Sequence, residues 1–142
     1  MNNYIQIYKN VIDDNYCDEL IEKFESESNK ETYDQGPMSF TQVNLNKNKW
    51  QGDIERLSSV FTKYLQQYKN DCVVTSQMWP EKYAFEEIRL KKYLANGKDR
   101  FDPHVDSISL ESAKRFLVFF IYLDNNKRGE TNFPQLGLAS PC

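Results

Sequence analysis

Apolar positions follow two different rhythms along the chain. Between residues 13 and 68 they recur at helical spacing. Asp13-Asp14-Asn15 offers an N-cap, and Tyr16, Cys17, Leu20, Ile21 and Phe24 follow on one face with acids opposite. This predicts a helix ending near Asn29. A second stripe, Trp50, Ile54, Leu57, Phe61, Tyr64, Leu65 and Tyr68, predicts a longer helix, with Gln51, Asp53 and Glu55 enriching its first turns. Both stripes read as scaffold. Around them, Tyr4 to Tyr8 alternates polar and bulky residues as a short strand would. Residues 30–40, with Gly36-Pro37, read as a loop, and the alternation of Thr41, Val43 and Leu45 reads as a strand.

From Tyr83 onward the texture is that of strands. Phe85 to Leu94 is one and Phe101 to Asp106 another. Arg115 to Leu123 is the most hydrophobic run in the chain, aromatic and β-branched without a period, which predicts a central strand buried on both faces. Asp124 to Gly129 carries turn residues, and Glu130 to Phe133 starts a further extended segment before Pro134. Helices first and strands afterwards imply an α+β domain, its helices laid against an antiparallel sheet.

Composition narrows the function classes. The 142 residues suffice for one domain with a core, and a net charge of −3 gives no single-sign field for nucleic acid or an anionic membrane. Lys47-Asn48-Lys49 and Lys91-Lys92 read as solvated faces. Cys17, Cys72 and Cys142 form neither a CxxC pair nor a disulfide framework. The N-terminal residues lack a signal-peptide pattern, and no run approaches the ~18 apolar residues of a membrane span. A cytoplasmic protein is expected. The chain has one histidine, His104, which excludes any site needing two histidines from this sequence.

That histidine sits in Phe101-Asp102-Pro103-His104-Val105-Asp106. In a strand, residues i and i+2 project from the same face, so the His104 imidazole and the Asp106 carboxylate can converge on one point. Together they are two of the three ligands in a 2-His-1-carboxylate site for non-haem Fe(II). A lone HxD triplet is more often a loop feature or a His–Asp hydrogen bond.

Several spaced motifs surround it in order: Lys92-Tyr93, Phe101, His104-x-Asp106, Arg115 through Tyr122-Leu123-Asp124, and Gly129-Glu130-Thr131-x-Phe133-Pro134. This series resembles the prolyl 4-hydroxylase-like branch of the Fe(II)/2-oxoglutarate-dependent dioxygenases, and Ile12-Asp13-Asp14 through Ile21 resembles the helix that opens such domains. The resemblance implies N-terminal helices on an antiparallel double-stranded β-helix, a cupin-like jelly-roll. Residues 1–80 would be helical support and 81–142 the first part of the barrel. It implies His104 and Asp106 as metal ligands, Tyr93 and Tyr122 as residues near 2-oxoglutarate, and Arg115 as a residue on the substrate side. Core packing is the plainer role for the two tyrosines and a surface position for Arg115. Relatives commonly carry two glycines before the Glu-Thr pair, and here the first is Arg128. The implied cofactors are Fe(II), 2-oxoglutarate and ascorbate, with O2 as co-substrate and hydroxylation of an unactivated C–H bond as the reaction. The substrate, a peptide or a small molecule, is not identified.

The resemblance also calls for a second histidine on a later strand, followed by a Lys or Arg for the far carboxylate of 2-oxoglutarate. Asp106 is followed by 36 residues without another histidine. Two readings follow: the early part of a dioxygenase whose activity belongs to the complete domain, with the C-terminal strands missing here, or a catalytically inactive truncated remnant or interaction module.

Overall fold

A computed structural model describes residues 4–140; Cys142 lies outside them. Helix α1 spans Asp14–Ser26, opened by the Asp13 carboxylate, which accepts a hydrogen bond from the Tyr16 amide at 2.9 Å. Tyr16, Leu20 and Phe24 are its buried residues, one per turn. The helix stops at Ser26, short of Asn29, because Glu27 is already extended (ψ 131°) and turns the chain into the sheet.

Helix α2, Gln51–Asp71, buries Leu57 and Leu65. It is tied to α1 by polar contacts around the apolar seam. The Tyr16 hydroxyl donates to Asp53 at 3.1 Å, Lys23 pairs with the same carboxylate, and Arg56 lies over the Tyr16 ring while pairing with Asp13.

Residues 30–40 are a hairpin where a loop was expected. Strand β1 (Glu31–Gln35) pairs antiparallel with β2 (Met38–Asn44). Gly36 takes the left-handed conformation (φ +51°) that the tight turn requires, and Pro37 follows it. Tyr33 stacks on Phe40 across the strands at 4.9 Å, an aromatic pair that polar flanking residues obscured in the sequence. Strands β3 (Arg89–Lys92) and β4 (Arg100–Phe101) both lie antiparallel along the other edge of β2, giving a four-stranded sheet. The expected strand over Phe85–Leu94 is ordered into a ladder only at β3.

The two faces of this sheet differ. Val43 and Leu90, opposite each other in the ladder, join Tyr16, Leu20, Phe24, Leu45, Trp50 and Leu57 in the core beneath the helices. Lys92, on that same face, pairs with Glu25 of α1. The opposite face carries Tyr33, Phe40, Gln42 and Lys91, and among the described residues its ring contacts come from strands and loops rather than from a helix. β2 is thus the central strand. Its Gln42 and Asn44 are buried yet satisfied, donating to Glu31 at 2.6 Å and to Glu87 at 2.7 Å.

Arg115–Leu123 is not the doubly buried central strand expected. Burial alternates: Leu117, Phe119, Ile121 and Leu123 are half-buried, Ile121 and Leu123 against the core and Phe119 against Phe61 of α2, whereas Phe116, Val118 and Phe120 are each at least 50% exposed. Among the described residues, Phe116–Leu123 has no backbone ladder. One side of this run faces the helices; on the other, Phe116 meets Trp79 and Tyr83 edge-on while Val118 and Phe120 stay half exposed. Tyr4–Tyr8 also forms no ladder. It lies on the C-terminal half of α2, with the Tyr8 ring 5.1 Å from Tyr64 and its hydroxyl on Asp71. A separate two-stranded ladder joins β5 (Asn132–Phe133) to β6 (Leu138–Ala139). The fold is therefore α+β, two α-helices with antiparallel sheets. No helix among the described residues is long and apolar enough to cross a membrane.

Candidate functional site

β3 and β4 are two parts of one path along the edge of β2, interrupted by the excursion 93–99. Asp99 holds that excursion together: its carboxylate accepts from the Leu94 amide at 2.9 Å and from Asn96 and Ser39 at 3.0 Å. These donors, the Leu94 amide foremost, hold the carboxyl below the usual aspartate range. The path resumes at Arg100-Phe101, and the Asp102 amide adds one in-register bond to the Pro37 carbonyl at 2.8 Å; pairing stops there because Pro37 has no N–H to return and Pro103 has none to give. His104 and Asp106 therefore lie in a loop just past β4, not in the strand predicted over Phe101–Asp106.

The loop still brings the two side chains together. His104 Nε2 is 3.6 Å from Asp106 Oδ1, and both side chains are about two-fifths exposed (41% and 45%). The ring is held from two sides. It stacks on Phe101 with centroids 3.7 Å apart and planes 12° from parallel, and Nδ1 lies 2.8 Å from the Asp102 carbonyl. A carbonyl only accepts, so Nδ1 carries the proton and Nε2 is the nitrogen presented to Asp106. A separation of 3.6 Å is too long for a normal hydrogen bond. A neutral Nε2 lone pair and a carboxylate facing each other across this gap repel unless a proton or a cation lies between them. The carbonyl on Nδ1 is the outer support that metal-bound imidazoles usually have.

Arg115 joins the same loop. Its Nη1 donates to the Asp106 carbonyl at 2.9 Å and its Nε to Glu86 at 2.6 Å, which holds the Glu86 carboxyl below its usual range. Beyond Asp106, the Ser112 hydroxyl accepts from the Ile108 and Ser109 amides at 2.9 Å, closing the turn that returns the chain to Arg115. Tyr93 reaches the site through an aromatic chain. It packs on Phe40 at 5.4 Å, and Phe40 packs on Phe101 at 5.7 Å. Burial of the phenol, followed by the charge of Asp99, pushes the Tyr93 pKa up to about 12. Tyr122 makes its contacts elsewhere: its hydroxyl lies 2.7 Å from both Thr131 Oγ1 and Ser140 Oγ and accepts from the Thr131 amide. It ties the β5–β6 ladder to the preceding run, so a ligand at this hydroxyl would have to displace one of those partners.

Lys91 belongs to the site although it reads as a solvated charge in the sequence. Its Nζ sits 4.5 Å from the Phe40 centroid and 5.0 Å from that of Phe101. The signal available was positional: Lys91 and Tyr93 are i and i+2 in the extended segment expected over Phe85–Leu94 and so fall on one face.

The His104–Asp106 pair fits two positions on a divalent cation. Among the described residues there is no group of three or more His, Cys, Asp or Glu side chains able to hold a metal ion, so the set is two ligands rather than three. No protein-family model matches the chain, and neither a curated protein nor a solved structure is significantly similar to it.

Proposed function

We propose that this chain carries the HxD half of an Fe(II)/2-oxoglutarate dioxygenase centre and binds a divalent cation weakly through His104 Nε2 and Asp106 Oδ1. The observation that carries this reading is their convergence at 3.6 Å with Nδ1 already committed to the Asp102 carbonyl. Two further features support it. The helices cover one face of the sheet and the candidate ligands adjoin the other, the division expected of a double-stranded β-helix with an interior site. Arg128 also adopts a left-handed conformation (φ +73°) at the place where the resembled family has glycine.

Bound iron with 2-oxoglutarate would supply oxidative C–H hydroxylation. The chain's own residues orient the two ligand atoms, and Phe101 shields one face of the imidazole. A two-ligand site forgoes one coordinate bond and the rigidity that comes with it. Catalysis then belongs to a domain that supplies the third ligand, with Arg115 near the substrate side and ascorbate keeping iron reduced. The exposed row Phe116, Val118 and Phe120 favours a second reading, a non-catalytic interaction module. Absence of succinate formation from 2-oxoglutarate by this chain is expected on both readings, whereas cation binding is expected only on the first.

Because His104 is the single histidine, its imidazole NMR signals are unambiguous. Mn2+ titrated into the full chain should broaden them selectively, and Asp106→Ala should weaken the effect about tenfold. Absence of broadening, or broadening indifferent to Asp106→Ala, would overturn the metal assignment.

A further inference from the structure

The open face of the sheet holds a cation that forms no ion pair among the described residues. Lys91 stands opposite Gln42 in the β2–β3 ladder, which puts it on the face shared by Phe40, Phe101 and Tyr93. Its neighbour Lys92 points to the other face and pairs with Glu25. Among the described residues, no carboxylate comes within 4.0 Å of the Lys91 ammonium. The group rests over two phenylalanine rings. Desolvation there, aided by the nearby positive charge of Arg89 and opposed by Asp106, lowers its pKa from the ordinary lysine value. Partial desolvation of an ammonium without an anion is costly, and ring faces offset only part of the cost.

The same rings connect Lys91 to the ligand pair. Its Nζ is 5.0 Å from the Phe101 centroid and the His104 centroid is 3.7 Å from that same point, so the ammonium and the imidazole flank one ring. An anion held by Lys91 therefore meets the same Phe101 ring that stacks on His104, within reach of the field of Asp106 and on the face that carries Tyr93.

We propose that Lys91, seated over Phe40 and over the Phe101 ring on which His104 stacks, is the anchoring cation for a small carboxylate ligand on the open face of the sheet. The identification of that ligand as the 2-oxoglutarate class rests on the function proposed above; the subsite itself needs no metal. It would place the carboxylate-pairing cation on β3, whereas the family resemblance calls for a Lys or Arg beyond a second histidine. Lys91 and the carboxylate form a charge-assisted hydrogen bond, with apolar ring surface replacing water around it.

The test uses the full chain without metal and follows the His104 imidazole by NMR while succinate or 2-oxoglutarate is added. Both should produce saturable shifts. Dimethyl succinate, which lacks the charge, should produce none, and inorganic phosphate at matched ionic strength should produce at most a non-saturating drift. Lys91→Met keeps the length and apolar bulk of the side chain and should weaken binding at least about tenfold, while Lys91→Arg should retain it. Circular dichroism of both variants establishes that they fold, and Lys91→Arg carries the test if Lys91→Met does not. No saturable shift with either acid, equal binding by the diester, or unchanged affinity in a folded Lys91→Met overturns the subsite. The Mn2+ experiment fails or succeeds separately: carboxylate shifts without Mn2+ broadening remove the metal reading and leave the subsite, and the reverse result removes the subsite alone.

Discussion

Residues 13–71 and residues 102–140 solve the burial problem in opposite ways. In the first region, two capped or tied helices and the β1–β2 hairpin bury Tyr16, Leu20, Phe24, Val43, Leu45 and Leu57 in one contiguous core. In the second, the most hydrophobic run of the chain has one side against that core and leaves Phe116, Val118 and Phe120 half exposed, without a ladder for its backbone. Hydrophobicity alone does not create a core. A strand also needs partners on its edges and cover on its faces: polar β2 has a partner on each edge and the helices over one face, while the apolar run has no edge partner among the described residues.

Deleting side-chain volume in each region should have very unequal effects. Leu20 is fully buried, and Leu20→Ala should cost about 2–5 kcal/mol in urea unfolding. Phe120 is 51% exposed, and Phe120→Ala should cost less than about 1 kcal/mol. Comparable losses would mean that the outer side of the 116–123 run is covered in solution.

Amide exchange sharpens the same contrast at the backbone. Amides in the middle of α2 should be strongly protected, whereas those of Phe116–Leu123 should exchange within about tenfold of unprotected peptide rates. Slow exchange across that run would reveal a hydrogen-bonded partner strand.

The smallest effect concerns a single turn. Arg128 holds φ +73°, a conformation that costs a residue with a Cβ about 1–2 kcal/mol, partly recovered as lower chain entropy on unfolding. Arg128→Gly should raise the midpoint of unfolding modestly, by up to about 1 kcal/mol. A loss of stability would show that the arginine side chain makes a contact worth more than the strain.

Local readings succeeded where the determinants were local. The Asp13 cap and the 3.6-residue stripes of α1 and α2 are properties of a few neighbouring residues, and both helices are present. The β1–β2 hairpin was missed because its signal is the cross-strand meeting of Tyr33 and Phe40 around Gly36-Pro37, not periodicity within Glu31–Gln35. At the site, the spacing of His104 and Asp106 was legible and their side chains do converge, but in a loop. Pairing ends where Pro37 and Pro103 have no N–H to give, a limit that the two prolines mark in the sequence. Lys91 was passed over because a Lys-Lys pair on a strand divides between two faces, and only the ladder register tells which lysine meets the rings.

The two amphipathic helices, the α+β class and a lone histidine two residues from an aspartate follow from the sequence alone, because each depends on chemistry within a few bonds or turns. The order of helices first and strands afterwards does not hold, since the β1–β2 hairpin lies between the helices. Tertiary structure decided which strand is central, which side of the 115–123 run faces the helices, and that Lys91 and His104 flank the same Phe101 ring. Those outcomes depend on pairing and layering between segments far apart in the chain, where a polar strand with partners on both edges becomes more buried than an apolar one without them.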